Sequence, residues 1–386
     1  MPQWKQYSGI WTATQQAQAI ADGTWTGVPR PELYAWGANN SGMLGIDSLV
    51  NTSSPTQVGT LTDWQQVSAG DQNSFAIKTD GTLWAWGRPD DGVIGNNQTL
   101  IYASSPIQIG ALTNWLQVST AYRNVSAIKT DGTLWCWGDN NPEGAVGDGT
   151  IINKSSPVQI GSDTNWYQTS VGEDVVAAIK TDGTLWTWGT STFGVGGRST
   201  TVQCSSPTQV GLLTNWSKVS AFKSFMNAVK TDGTLWSWGL GNLGQLGTGN
   251  VITQSSPVQI GADTDWANVA AGYFTSSAVK TDGTLWGWGY NYFGTIGDNT
   301  KVYRSSPVQV GALTTWSLAS VGREHSMAIK NDGTLWTLGG GGTTGAAGQN
   351  NVVFYSSPIQ IGALTSWSAV DCGQYYVLAI NANPTT

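Results

Sequence analysis

Apolar and polar residues alternate along this chain in short bursts, and the bursts recur. The tetrad Leu83-Trp84-Ala85-Trp86 returns as Leu134-Trp135-Cys136-Trp137, Leu185-Trp186-Thr187-Trp188, Leu235-Trp236-Ser237-Trp238 and Leu285-Trp286-Gly287-Trp288. Variant copies are Leu33-Tyr34-Ala35-Trp36 and Leu335-Trp336-Thr337-Leu338. The tetrads end at 36, 86, 137, 188, 238, 288 and 338, a period of about 50. Each period offers four short strands. One follows Ser-Ser-Pro, as in 257–261, and one begins at a lone tryptophan, as in 266–272. The other two flank an Asp-Gly pair, as in Ala278-Val279-Lys280-Thr281-Asp282-Gly283-Thr284-Leu285-Trp286. Asp-Gly between alternating apolar residues is a strong hairpin signal, because both residues tolerate the positive φ of a tight turn. A four-stranded unit repeated seven times predicts an all-β fold, a seven-bladed β-propeller of antiparallel blades.

The tetrad has a physical logic. Residues two apart on a strand share a face, so both tryptophans of a tetrad point into the wedge between neighbouring blades. Trp36, Trp84, Trp86, Trp135, Trp137, Trp186, Trp188, Trp236, Trp238, Trp286, Trp288 and Trp336 are therefore predicted as core. An exposed aromatic ladder for sugars or bases is the alternative, and the fixed strand positions argue against it. The strand after each lone tryptophan is rich in Ser, Ala and Gly, which suits the crowded axis. The C-terminal repeat lacks a tetrad, and the first tetrad lacks the strands before it. The strand at 33–37 is expected to complete the seventh blade, three strands plus one. The domain plan is an N-terminal aromatic arm or cap at 1–32, the propeller at 33–381 and a short tail at 382–386.

The stretch Trp238-Gly239-Leu240-Gly241-Asn242-Leu243-Gly244-Gln245-Leu246-Gly247 resembles the repeat of the regulator-of-chromosome-condensation propellers, a seven-bladed family. The resemblance spans about residues 33 to 381. It implies the fold far more sharply than a function, since propellers of this kind serve as nucleotide-exchange factors, photoreceptors, enzyme inhibitors and structural modules. The exchange factors use a protruding wedge and a basic tail. Here the repeats differ in length by one residue only, and the N-terminal segment has no basic cluster. The photoreceptors pack tryptophans with arginines on a dimer face, whereas the basic residues here are scattered. The inhibitors bind an enzyme through one aromatic face of the ring.

Composition narrows the choice. The 17 basic and 24 acidic residues make only 11% of the chain, against roughly 25% in ordinary globular proteins. A sparse acidic balance argues against nucleic acid, which needs clustered Lys and Arg. No stretch is apolar enough for a membrane helix, and 1–6 does not read as a Sec signal. Three cysteines, Cys136, Cys204 and Cys372, make no disulfide framework, and the single histidine, His325, rules out a histidine-rich metal site. No nucleophile motif, Walker loop or Cys-x-x-Cys is present. Asp139, Glu143 and Asp148 share one loop and are a calcium candidate, but aspartates in such loops are usually turn formers. The expectation is no enzyme activity, no cofactor and no metal.

Compared with one another, the repeats vary most in the three residues after the inner strand. Tyr122, Arg123, Lys223, Phe225, Tyr273, Phe274, Arg323, Glu324, His325, Gln374, Tyr375 and Tyr376 belong to these triplets. They are predicted to ring one face near the axis. Aromatic residues with arginine have the composition of a protein-binding hot spot. Residues equivalent to Thr52, Lys154 and Cys204 vary as well and are placed on outer connections. In the arm, Trp4, Tyr7, Trp11 and Trp25 are candidates for attachment to a partner. The resulting expectation is a structural or adhesive protein-binding propeller. Low charge and abundant small polar residues point to a phage virion component of the tail, baseplate or capsid surface. Its partners would be other virion proteins or a host-surface receptor. The alternatives are a cytoplasmic interaction scaffold and a protein inhibitor of an enzyme.

Overall fold

The structure, a computed structural model, describes residues 30–100, 102–340 and 342–382. The arm candidates Trp4, Tyr7, Trp11 and Trp25 lie outside the described residues. The strands form seven four-stranded antiparallel sheets. Blades I to VII begin at inner strands Trp64–Ala69, Trp115–Thr120, Trp166–Val171, Trp216–Phe222, Trp266–Ala271, Trp316–Val321 and Trp367–Cys372. In blade I the second, third and outer strands are Asn73–Lys78, Leu83–Gly87 and Ala103–Gln108. The second strand of each blade packs on the inner strand of the next, and Tyr376–Asn381 of blade VII packs on Trp64–Ala69, so the ring is closed.

The near-constant Thr-Asp-Gly-Thr-Leu-Trp is explained by its own turn. The Asp80 carboxylate accepts from the Thr82 amide at 3.0 Å and from the Thr82 hydroxyl at 2.7 Å. That hydroxyl accepts from Trp84 Nε1 at 2.9 Å. Gly81 has φ +76°, and a Cβ there would meet the Thr113 carbonyl oxygen at 2.2 Å. The same Asp–Thr–Trp chain recurs through Trp135, Trp186, Trp236, Trp286 and Trp336. The Thr82 bonds hold the Asp80 carboxyl below the usual carboxylate range.

The second tetrad tryptophan faces the preceding blade. Trp86 Nε1 donates to the Met43 carbonyl at 2.8 Å, beneath Gly45, whose Cβ would lie 2.8 Å from that nitrogen. This close approach accounts for the glycine that stands nine or ten residues after the end of the tetrad in each repeat. Trp64 meets Trp84 and Trp86 edge-on at 6.0 and 6.4 Å, contacts worth about 0.5–1.5 kcal/mol each beyond their buried area. Trp86, Trp64, Val67 and Ala76 of blade I pack on Leu33, Ala35, Leu378 and Ile380 of blade VII in one cluster. On the outside, the loop after each third strand is latched to the next blade. Asn97, Gly149, Ser199, Gly249, Asn299, Asn350 and Asp47 each donate a backbone N–H to a carbonyl of the following Ser-Ser pair.

Two expectations need correction. Blade VII is ordered Trp367–Cys372, Tyr376–Asn381, Glu32–Gly37, Thr52–Thr62. The strand at 33–37 does pair with the last strand, but each chain end supplies two strands rather than one and three. The Ser-Ser-Pro strand hydrogen-bonds outward from the tetrad before it, so Tyr355–Gln360 completes blade VI and Thr52–Thr62 completes blade VII. The tetrad tryptophans also divide into two classes. Trp36, Trp86, Trp137, Trp188, Trp238 and Trp288 are fully buried, whereas Trp84, Trp135, Trp186, Trp236, Trp286 and Trp336 are half-buried. The first tryptophan lies nearer the turn, where a lysine covers it. Lys129 Nζ sits 3.5 Å from the Trp135 ring centre and 4.7 Å from that of Trp115, and the same arrangement recurs at Lys78, Lys180, Lys230, Lys280 and Lys330.

Candidate protein-binding face

The triplets lie in the turns between inner and second strands, at the end of the blades opposite the Asp-Gly hairpins; this end is the upper face. The upper turns are held mostly by backbone bonds, joined by the inward-turned third-position side chains of Asn73, Asn124 and Tyr376, which donate to Tyr122, Glu173 and Asn73 carbonyls of the following blade. Gly70 donates to the Asn73 carbonyl within its turn. Asp71, Glu173, Tyr273, Arg323 and Gln374 each donate a backbone N–H to the turn of the following blade. Such a ring of main-chain bonds makes little demand on the first two side chains of each triplet.

The first two triplet positions are half-buried and face the axis region. Asp71, Tyr122, Glu173, Lys223, Tyr273 and Gln374, with Ala121 and Phe222, surround a central dip of about 30 Å³. That is too small for an organic ligand and leaves a broad, shallow face. Lys223 donates to the Tyr273 hydroxyl, lies 3.9 Å from that ring's centre and is 3.8 Å from a Glu173 oxygen. Arg323 lies between the rings of Tyr273 and Tyr375, at 4.8 and 5.2 Å. Arg123 covers Tyr122 at 4.9 Å and pairs with Asp91 at 2.9 Å. Glu324 is desolvated, which pushes its carboxyl up.

The third triplet position does not belong to the face. Phe225, His325 and Tyr376 are at most 1% exposed, because this residue opens the second strand and pairs with the glycine ending the third. Its side chain turns inward between blades. The Tyr376 hydroxyl donates to the Asn73 carbonyl of blade I at 2.6 Å. Burial pushes His325 down to about 4. These three are withdrawn as binding residues.

The sequence reading missed the larger part of the aromatic surface. The loop after a third strand emerges at the upper end, since Gly289 pairs with Thr275. In blade V this loop carries Tyr290, Tyr292, Phe293 and Tyr303. A chain of ring contacts runs from Phe222 to Tyr273 at 6.2 Å, Tyr273 to Phe274 at 4.7 Å and Phe274 to Tyr290 at 6.1 Å. It continues from Tyr290 to Phe293 at 5.9 Å and from Phe293 to Phe354 at 5.1 Å. Tyr292 and Tyr303 are 60% and 44% exposed. The signal was available: other repeats mostly have polar or glycine residues where blade V has Tyr290, Tyr292 and Phe293, and five blades have glycine where blade IV has Phe222.

The opposite sector, over blades II and III, is acidic. Asp174 is pushed up to about 7, first by burial and then by repulsion from Glu143, Glu173 and Asp139. The loop weighed as a calcium site does not converge on an ion. Asp148 is engaged by Thr150 and by Lys154 at 2.9 Å, and no group of three or more His, Cys, Asp or Glu among the described residues is placed to hold a metal. Cys136 and Cys372 are buried, Cys204 is half-buried, and all three thiols are free.

The architecture is that of a closed seven-bladed propeller with a uniform lower face and an individual upper one. Models of the regulator of chromosome condensation (RCC1) repeat match residues 32–77, 131–179, 232–279 and 282–329, and a second model of that repeat matches 64–93 and 266–295. The chain belongs to the RCC1-repeat family. It is 29% identical over 171 residues to the probable E3 ubiquitin-protein ligase HERC6 of Homo sapiens, covering 42% of this chain and 17% of that protein. It is 29% identical over 170 residues to the ultraviolet-B receptor UVR8 of Arabidopsis thaliana, covering 42% and 38%. These matches thus span well under half the length of either relative. The crystal structure of Prp20p from Saccharomyces cerevisiae, described together with its binding to Gsp1p and histones, superposes with a TM-score of 0.82 at 20% identity, covering 98% of this chain and 97% of that one.

Proposed function

We propose that this chain is a non-enzymatic, intracellular protein-interaction propeller that docks a protein partner on its upper face. The observation carrying the reading is the continuous aromatic run from Phe222 to Phe354, flanked by Arg323 and Lys301. Large rings with arginine are the groups that dominate protein interfaces, and Tyr292 and Tyr303 are open to solvent. The described parts of the chain show no constellation suited to catalysis. The relatives support a protein partner over the virion role suggested by composition: the Prp20p structure is described together with its binding to Gsp1p and histones, and none of the relatives named above is a virion protein. The arm residues Trp4, Tyr7, Trp11 and Trp25 belong to this proposal as a second attachment point.

The test uses a photo-crosslinking residue in cells, placed at Tyr292 on the upper face or at Tyr167 on the lower end of blade III. The expected result is one protein captured from Tyr292, lost when Arg323→Ala and Tyr303→Ala are added, and not captured from Tyr167. Equal capture from both positions, or capture indifferent to Arg323, would remove the upper face as the docking surface.

A further inference from the structure

The seven inner strands surround an axial cavity of about 230 Å³. One repeated position of those strands forms a belt in its wall. Five blades place a serine there, from Ser68 in blade I to Ser320 in blade VI, while blade V has Ala270 and blade VII has Asp371. The serine has a structural task. Its hydroxyl oxygen accepts a backbone N–H of the next blade, as Ser68 does from Thr120, Ser119 from Val171 and Ser320 from Cys372, each at 3.0 Å. Asp371 performs the same task, accepting from the Ala69 amide at 2.9 Å. A serine would make that bond equally well, so what the aspartate adds is its charge.

That charge stands alone in the cavity. Every other residue of the wall is neutral, and no lysine or arginine among the described residues pairs with Asp371. Its oxygens receive the Ser320 hydroxyl at 3.0 Å and the Cys372 amide at 3.1 Å, with the Ser68 hydroxyl on the other side. Burial outweighs these bonds and pushes the carboxyl up to about 6, which leaves it ionised at neutral pH. A carboxylate taken out of water without a counter-ion is unfavourable, and a cation held in the cavity relieves that cost.

We propose that the axial cavity binds a small, polar organic molecule carrying one primary ammonium group, seated on Asp371 between Ser68 and Ser320. The chemistry of the wall sets the class. An ammonium has three N–H donors, which suit the carboxylate and the hydroxyl oxygens of the two flanking serines, each with a lone pair beyond the one its backbone bond uses. One carboxylate balances one positive charge. A bare metal ion fits less well. Calcium takes roughly six to eight oxygen ligands, no group of three or more His, Cys, Asp or Glu among the described residues could hold a metal, and the cavity is far larger than one ion or one water needs. The body of the ligand meets Ser170, Ser220, Gln168 and Asn268, whose hydroxyls and amides favour a hydroxylated molecule over an alkyl chain. This site is independent of the docking face above it.

Ethanolamine, ethylene glycol and sodium chloride, titrated calorimetrically into the full chain at neutral pH, provide the test. Saturable ethanolamine binding is expected, and none of ethylene glycol, which lacks the ammonium. Asp371→Ser, the residue of five other blades, keeps an acceptor for Ala69 and should weaken ethanolamine binding at least tenfold while the chain still unfolds cooperatively. Ala270→Leu narrows the cavity without touching the charge; it should weaken binding by a smaller factor and serves if Asp371→Ser does not fold. Absence of saturable ethanolamine binding, equal binding by Asp371→Ser or by Ala270→Leu, equal binding of ethylene glycol, or displacement by equimolar sodium would each overturn the assignment.

Discussion

The two ends of the blades obey different rules. At the lower end the chain repeats itself through six Asp-Gly turns; at the upper end no two triplets are alike. The lower turn is made by side chains. Asp80, Thr82 and Trp84 are bonded in series, Gly81 fits beneath a neighbouring carbonyl, and Lys78 lies over the rings. Altering any of them breaks a bond or a fit. The upper turn is made by the main chain and its inward-turned third side chain, and its first two side chains project from a frame that does not depend on them. Uniformity therefore marks the end that holds the ring together, and diversity marks the end left free to acquire a partner.

That contrast can be broken most severely at the ring seam. A chain beginning at residue 63 loses the third and outer strands of blade VII and exposes the edge of Tyr376–Asn381. It is expected to aggregate, since an unpaired strand edge templates association; a monomeric, cooperatively unfolding product by light scattering and calorimetry would contradict the two-plus-two closure. Next comes the core. Trp188→Ala should cost about 3–5 kcal/mol, the range for truncating a buried aromatic. Trp186→Ala, at a half-buried position, should cost about 1–2 kcal/mol. Urea unfolding of the pair measures the difference between the two tryptophan classes.

The upper face should respond in the opposite sense. Tyr292→Ala with Arg323→Ala should change stability by no more than about 0.5 kcal/mol, while partner affinity falls by about tenfold or more. Thermal midpoints and binding titrations read the two effects separately.

A subtler contrast lies in two buried titrating groups near the axis. His325 is pushed down to about 4, so between pH 6.5 and 4 the unfolded chain takes up a proton that the folded one refuses. Stability falls there as pH falls, by up to about 1.4 kcal/mol per pH unit. Asp371 is pushed up to about 6 by burial, so between roughly pH 6 and 4 the folded chain holds the extra proton, and its contribution rises as pH falls. The two slopes oppose one another. Asp371→Ser, the residue of most other blades, should leave the His325 slope exposed and make the urea midpoint drop more steeply between pH 6 and 4. Smallest is Lys129→Met, which removes one ammonium from over Trp135 and should cost about 0.5–1 kcal/mol, detectable as a modest shift in midpoint.

How far the sequence could be read follows from how far apart the interacting residues are. The Asp-Gly hairpins and the tetrad strands were legible because each is written within one repeat, by residues two to four apart, and the number of blades because that repeat recurs seven times at a period of about 50. The triplet face was legible in outline for the same reason. Its membership was not. Whether Phe225, His325 and Tyr376 point outward depends on the pairing of the strand they open, and strand parity inverts with a shift of one residue. The aromatic sector escaped notice because Phe222, Tyr273, Tyr290 and Phe354 come from three blades and meet only when the blades are set side by side.

By itself, then, the chain determined its period, its turn chemistry and the apolar stripe on each strand, since these follow from local sterics and hydrogen bonding. Only the tertiary structure decided the rest. Which neighbour takes the Ser-Ser-Pro strand, and hence a two-plus-two seam, depends on whether that strand pairs with the tetrad before it or the tryptophan strand after it, and both are equally near in sequence. The polarity of the upper face depends on closure, which brings Asp71 beside Gln374 and sets the acidic loops of blades II and III across from the rings of blades V and VI. The physical reason is the same in each case: inter-blade contacts join residues about 50 or 300 positions apart, and nothing in a single repeat records which of them will face the same solvent.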